Sequence, residues 1–107
     1  MNDKDFNQLA DDMLGRIEAA LEASDAEIDF ELGAGGVLEI EFEDGSKIIV
    51  NRHGVAREIW VAARAGGFHF RWQETDASWR DTRDGQELLA KLSVLASQQA
   101  GQAVSLG

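Results

Sequence analysis

The apolar residues of this chain change their spacing twice. Phe6, Leu9, Ala10, Met13, Ile17, Ala20 and Leu21 recur every three or four positions, as on one face of an α-helix. From Ile28 the period drops to two. Ile28, Phe30 and Leu32 alternate with Asp29 and Glu31, and Leu38, Ile40 and Phe42 alternate with Glu39, Glu41 and Glu43. Lys47 to Val50, Ile59 to Arg64, Phe68 to Trp72 and, more weakly, Ser78 to Asp81 extend this strand-like stretch. Helical spacing then returns in Leu88, Leu89, Leu92, Leu95 and Ala96. A sheet apolar on one side needs a cover, and an amphipathic helix at each end of the chain supplies one. The expected fold is therefore α+β: a two-layer sandwich in which an antiparallel sheet of five or six strands has one face covered by the N- and C-terminal helices. Short links between strands favour a meander. A chain of 107 residues accommodates one domain, 1–107, with a single modest core.

Local signals place the boundaries. The first helix is expected over about 3–23. Asp44-Gly45 reads as a two-residue type I′ hairpin and Gly33-Ala34-Gly35-Gly36 as a turn. Asp84 is the expected N-cap of the last helix, with Glu87 reaching back in a capping-box arrangement. Val104 and Leu106 are suited to tuck an extended tail against the helices.

Charge is distributed unevenly. Fourteen of the twenty carboxylates lie in the first 44 residues, where only Lys4 and Arg16 oppose them, so that stretch carries −12 and the remaining 63 residues +2. Such a balance disfavours nucleic acid and anionic membranes, whose phosphates would be repelled. The polar, acidic N-terminus is unlike a secretory or transit signal, and no apolar run approaches the roughly 20 residues that span a bilayer. A cytoplasmic protein is the expectation. The absence of cysteine excludes thiol chemistry and thiolate-held zinc or clusters on this chain.

Asp11, Glu18 and Glu22 fall in one narrow sector of the first helix, and Asp25, Glu27, Asp29 and Glu31 continue the row toward the sheet. Hard oxygen ligands suit iron, manganese, magnesium and calcium, but a row of separate carboxylates lacks the convergence of a dedicated site. Cation binding there is expected to be weak, multiple and poorly selective; a merely solvated acidic face is the open alternative. Alternation sends Ile59 and Val61 inward and Trp60 to the solvent face, near Asn51. An exposed tryptophan marks an interface anchor, or else is covered by a cation, with Arg64 or Arg71 in reach. Trp72 and Trp79 read as core or core edge. His53 and His69 have no partner at metal-ligand spacing and read as surface histidines.

The stretches MNDKDFNQLAD, GGVLEIEFEDGSKIIVNR, EIWVAARAGGFHF and, more loosely, SWRDTRDGQELLAKL with QQAGQAVSL resemble the bacterial frataxin family over essentially the whole chain. The acidic first helix, the Asp44-Gly45-Ser46-Lys47 hairpin running into Asn51-Arg52, and the Ile59-Trp60 pair carry the resemblance. It implies the α+β sandwich and a non-enzymatic role in iron–sulfur cluster assembly, with weak surface-bound iron and no organic cofactor. It implies docking on a cysteine desulfurase and its scaffold by a monomer, with iron-driven oligomerisation left open. By resemblance, Asp11, Glu18, Glu22, Asp25, Glu27, Asp29 and Glu31 match the iron-binding ridge, and Asn51 and Trp60 the partner-contacting sheet surface. Glu18 and Glu22 are expected to serve partner binding too, while Glu39 and Glu41 extend the negative surface onto the sheet. Relatives often carry proline before the Ile-Trp pair, where this chain has His53-Gly54-Val55-Ala56-Arg57. The alternatives are a ferroxidase or iron-storage protein, which needs carboxylates converging on iron, and an acidic interaction module without a metal role.

Overall fold

Asn2 starts the first helix by accepting the Asp5 N–H on its side-chain oxygen at 2.8 Å, satisfying one of the donors a helix start leaves free. In the computed structural model, which describes all 107 residues, α1 runs Asp3–Ala23 and buries Phe6, Ala10, Met13, Leu14, Ile17 and Leu21. Six strands follow: β1 (Ile28–Gly33), β2 (Val37–Phe42), β3 (Lys47–His53), β4 (Glu58–Ala63), β5 (Gly66–Gln73) and β6 (Ser78–Asp81). They pair in sequence order as an open antiparallel meander. Helix α2 (Leu88–Ala100) ends the regular structure.

The pairing register puts Leu38, Ile40, Phe42, Ile48, Val50, Ile59, Val61, Phe70 and Trp79 on one face of the sheet. These side chains, the buried apolar stripes of both helices and Val104 and Leu106 of the tail form one cluster of 22 residues. Val104 and Leu106 close it from the tail, 6% and 4% exposed. Trp79 is buried and Trp72 half-buried, the two rings meeting edge-on at 5.5 Å. The other sheet face is uncovered. Leu32 keeps the inward alternation yet is 45% exposed, because β1 is an edge strand with no element beyond it.

One turn and one helix cap resolve differently from expectation. The link after Phe42 is a three-residue loop, not a two-residue type I′ turn. Gly45 N–H donates to Phe42 O, and Phe42 N–H to Ser46 O, both at 2.9 Å. Only Gly45 takes a positive φ (85°), whereas type I′ demands it of Asp44 as well. Asp44 instead accepts the Ser46 N–H and binds Arg64 at 2.7 Å; hydrogen bonding from Ser46 first, and then Arg64, holds its carboxyl far below the usual range.

Asp84 does not cap α2. Its carboxylate accepts the Gln86 N–H, and Glu87, extended at φ −69° and ψ 146°, accepts from Leu89 and Ala90 instead. The displacement has a tertiary cause: residues Gln86 and Glu87 are engaged by β6, through Asp81 N–H to Gln86 O and an isolated bridge of Arg80 with Glu87.

Candidate functional site

Helical and strand periods together build the acidic surface. Asp11, Glu18 and Glu22 lie on α1, with Glu18 half-buried; Asp25 and Glu27 occupy the link, and Asp29 and Glu31 project from β1, all exposed except Glu18. Among these seven only Asp11 meets a cation, the Arg52 guanidinium from the end of β3. Arg52 crosses Gly36 so closely that a Cβ there would lie 2.7 Å from Nε. That residue, at φ 75°, favours glycine for its backbone, and any side chain there would displace Arg52.

The register extends the surface. Asp29 stands opposite Glu41, and Glu31 opposite Glu39, so four carboxylates occupy adjoining cross-strand pairs on the uncovered face. Like charges directly opposite repel. Lys47, 2.6 Å from Glu39, is their one salt-bridge partner. No three carboxylate or imidazole groups converge on a point that would hold a metal ion. The ridge is therefore a row of separate charges with a summed field, and not a ligand cage.

Across β3, β4 and β5 the same face carries a different construction. Register sets Asn51 opposite Trp60 and Trp60 opposite His69. Trp60 does project to the uncovered side, as alternation requires, but its rings are not bare. The His53 imidazole stacks on one face at 3.8 Å and 11°, and His69 on the other at 4.5 Å and 9°. Imidazoles thus do what was expected of a guanidinium. Arg64 is drawn away to Asp44 and Arg71 to Glu58, each at 2.7 Å. Asn51 is half-buried beside the stack.

Glu58 is the residue that sequence reasoning missed. Only 6% exposed on an otherwise open face, it accepts the indole N–H of Trp60 at 2.8 Å and Arg71 at 2.7 Å, with His69 Nδ1 at 3.5 Å. Burial acts to raise its pKa, but the Trp60 N–H, the Arg71 guanidinium and nearby His69 outweigh it and leave the carboxyl below its ordinary value. The signal was present: Glu58 and Trp60 are two apart in a strand and so share a face. That the stacked rings would bury the carboxylate was not visible without the register.

The surface so assembled is a row of largely unpaired carboxylates, from α1 over the β1 edge to β2, beside a fixed aromatic slab. A family model for the frataxin-like domain matches residues 1–102. The chain is 71% identical over 106 residues to the iron-sulfur cluster assembly protein CyaY of Dechloromonas aromatica, covering 99% of each. It is 48% identical to the protein of that name from Paraburkholderia phymatum, covering 99% of this chain and 98% of that one. A solved frataxin from Psychromonas ingrahamii superposes with a TM-score of 0.90 at 34% identity, covering 100% of this chain and 99% of that one. Yeast frataxin, at 24% identity and a TM-score of 0.66 over 92% of this chain and 82% of its own, shares the fold. Helix, six-stranded meander, helix and acidic surface therefore have one common explanation: this chain belongs to the frataxin family, alongside its bacterial CyaY members.

Proposed function

We propose that this protein serves iron–sulfur cluster assembly as a docking regulator, not as an enzyme. Its acidic surface would meet a basic patch on a cysteine desulfurase, and the Asn51–Trp60 face would meet the scaffold beside it. The curated relatives are named as iron–sulfur cluster assembly proteins, which supports the pathway. The observation that carries the docking role is continuity. Asp29 and Glu31 of β1 and Glu39 and Glu41 of β2 stand on the same sheet face as Trp60, and α1, packed on the other face, brings its own carboxylate row to β1, so the surface runs from a charged half to an aromatic half. Charge of this density steers association and sets orientation. Iron enters as loosely held cargo or counter-ion of the same carboxylates, since they do not converge. That no three carboxylates gather at one point favours this reading over a ferroxidase, which needs several around an iron pair.

Charge reversal tests the reading directly. Glu18→Lys with Glu22→Lys should abolish binding to the desulfurase measured by titration calorimetry, and raising salt should weaken the unmodified protein as the Debye length falls to about 10 Å at 0.1 M. Unchanged affinity in the double variant would refute the docking role of the ridge.

A further inference from the structure

The loop before the Ile59-Trp60 pair, Gly54-Val55-Ala56-Arg57, has no proline to stiffen it, and hydrogen bonds hold it instead. Arg57 sits at φ 53°, a left-handed conformation that a non-glycine residue keeps only when its surroundings enforce it. Its N–H closes the turn on Gly54 O at 3.3 Å. Its guanidinium reaches back to the chain start, donating to Met1 O at 2.6 Å and to Asp3 Oδ1 at 2.9 Å. At the other end of the loop, Ala56 N–H donates to His53 Nδ1 at 3.2 Å, which fixes the plane of that ring. The fixed ring is the one that lies 3.8 Å from Trp60.

From this chain of contacts we infer that Arg57 is a positioning residue for the aromatic slab: by tying the loop to the N-terminus of α1, it holds His53 flat on Trp60. His69 needs no such device, because it lies within β5 with its backbone paired to Trp60. His53, by contrast, is the last residue of β3 and leads into a loop whose Val55 is 96% exposed. Without the Arg57 clasp the left-handed turn loses its support, the Ala56 N–H shifts, and one face of Trp60 is uncovered. Arg57 touches no partner in this scheme. It acts through His53, and the proposal rests on the reading that Trp60 is part of the docking surface only for its effect on affinity.

The test compares Arg57→Ala, Arg57→Lys and Asp3→Asn with Arg83→Ala, an exposed arginine whose side chain makes no hydrogen bond. His53 ring protons, shifted by the indole ring current, are followed by NMR, and core signals from Phe6 and Trp79 report that the fold persists. Arg57→Ala should move the His53 signals toward free-imidazole positions, with Asp3→Asn moving them less, Arg57→Lys restoring them in part, and Arg83→Ala leaving them in place. Affinity for the desulfurase–scaffold complex should fall about 2- to 30-fold in Arg57→Ala, the range of coupling carried by such contact networks. Unmoved His53 signals in a folded Arg57→Ala protein would overturn the inference. Moved signals with unchanged affinity would uphold the positioning and refute the docking role of Trp60 instead.

Discussion

Two carboxylates of this chain are buried, and they face opposite sides of the sheet. Glu58 lies under the aromatic slab on the open side, while Asp81, opposite Phe70, faces the helices and meets Lys91 of α2 at 3.0 Å. Burial would raise the Asp81 pKa, but the Arg83 N–H and the Lys91 ammonium overcome it, so its carboxyl, like that of Glu58, stays below the ordinary range. A depressed folded-state pKa stabilises the protein above the unfolded value, near 4, and that contribution is lost as pH falls through the folded value. Urea unfolding should therefore show stability declining below about pH 4.5, with a shallower decline in Asp81→Asn. At pH 7, Asp81→Asn should cost about 1–3 kcal/mol. The loss stays below that of an orphaned buried charge because Lys91 keeps Asp84 at 2.6 Å. An Asp81→Asn protein with the same acid limb would show that other groups set it.

At the level of elements, α2 is completed by a segment with no regular structure. Ser93 and Ser97 donate to the carbonyls one turn back and then accept the N–H groups of Leu106 and Val104, both at 2.9 Å. The tail backbone is satisfied in this way while its two apolar side chains enter the core. Removing residues 102–107 should cost about 2–4 kcal/mol, two buried aliphatic side chains discounted for a partly collapsed unfolded state. Equilibrium denaturation checks this; an unchanged midpoint would mean the tail packs without consequence. The element boundaries show why local rules reach only so far. Asp3–Ala23 agreed with its stripe because α1 is held by its own periodicity and cap. Asp84, as good a capping residue as any, lost to Glu87 because β6 had already engaged the intervening backbone.

For the whole molecule the governing quantity is the −12 held in the first 44 residues. Folding brings these groups together: Asp29 against Glu41, Glu31 against Glu39, and the α1 carboxylates beside the β1 edge. Screening that repulsion should stabilise the fold. Raising sodium chloride from low ionic strength to 0.3 M, or adding millimolar divalent cation, is expected to contribute about 1 kcal/mol, hence roughly 4–8 °C in Tm for a domain of this size. A scanning-calorimetry Tm indifferent to both would show that the ridge is already well solvated, and would remove the support it lends to cation binding.

Periodicity and charge are properties of consecutive residues, so the helix-sheet-helix order, the inward and outward sides of β1, β2 and β4 and the acid-rich half could be read before any coordinates. Ile59 in, Trp60 out and Val61 in follow from a period of two and nothing else. The slab could not be read that way. Its three rings come from β3, β4 and β5, and their overlap depends on register, on a four-residue loop set by Arg57, and on salt bridges that draw Arg64 and Arg71 elsewhere. Those are contacts between residues distant in the chain, each competing with alternatives of similar local merit, and only packing the sheet chooses among them. His53 and His69 accordingly looked ordinary one at a time, and Glu58 was passed over, until the fold placed all three around one indole.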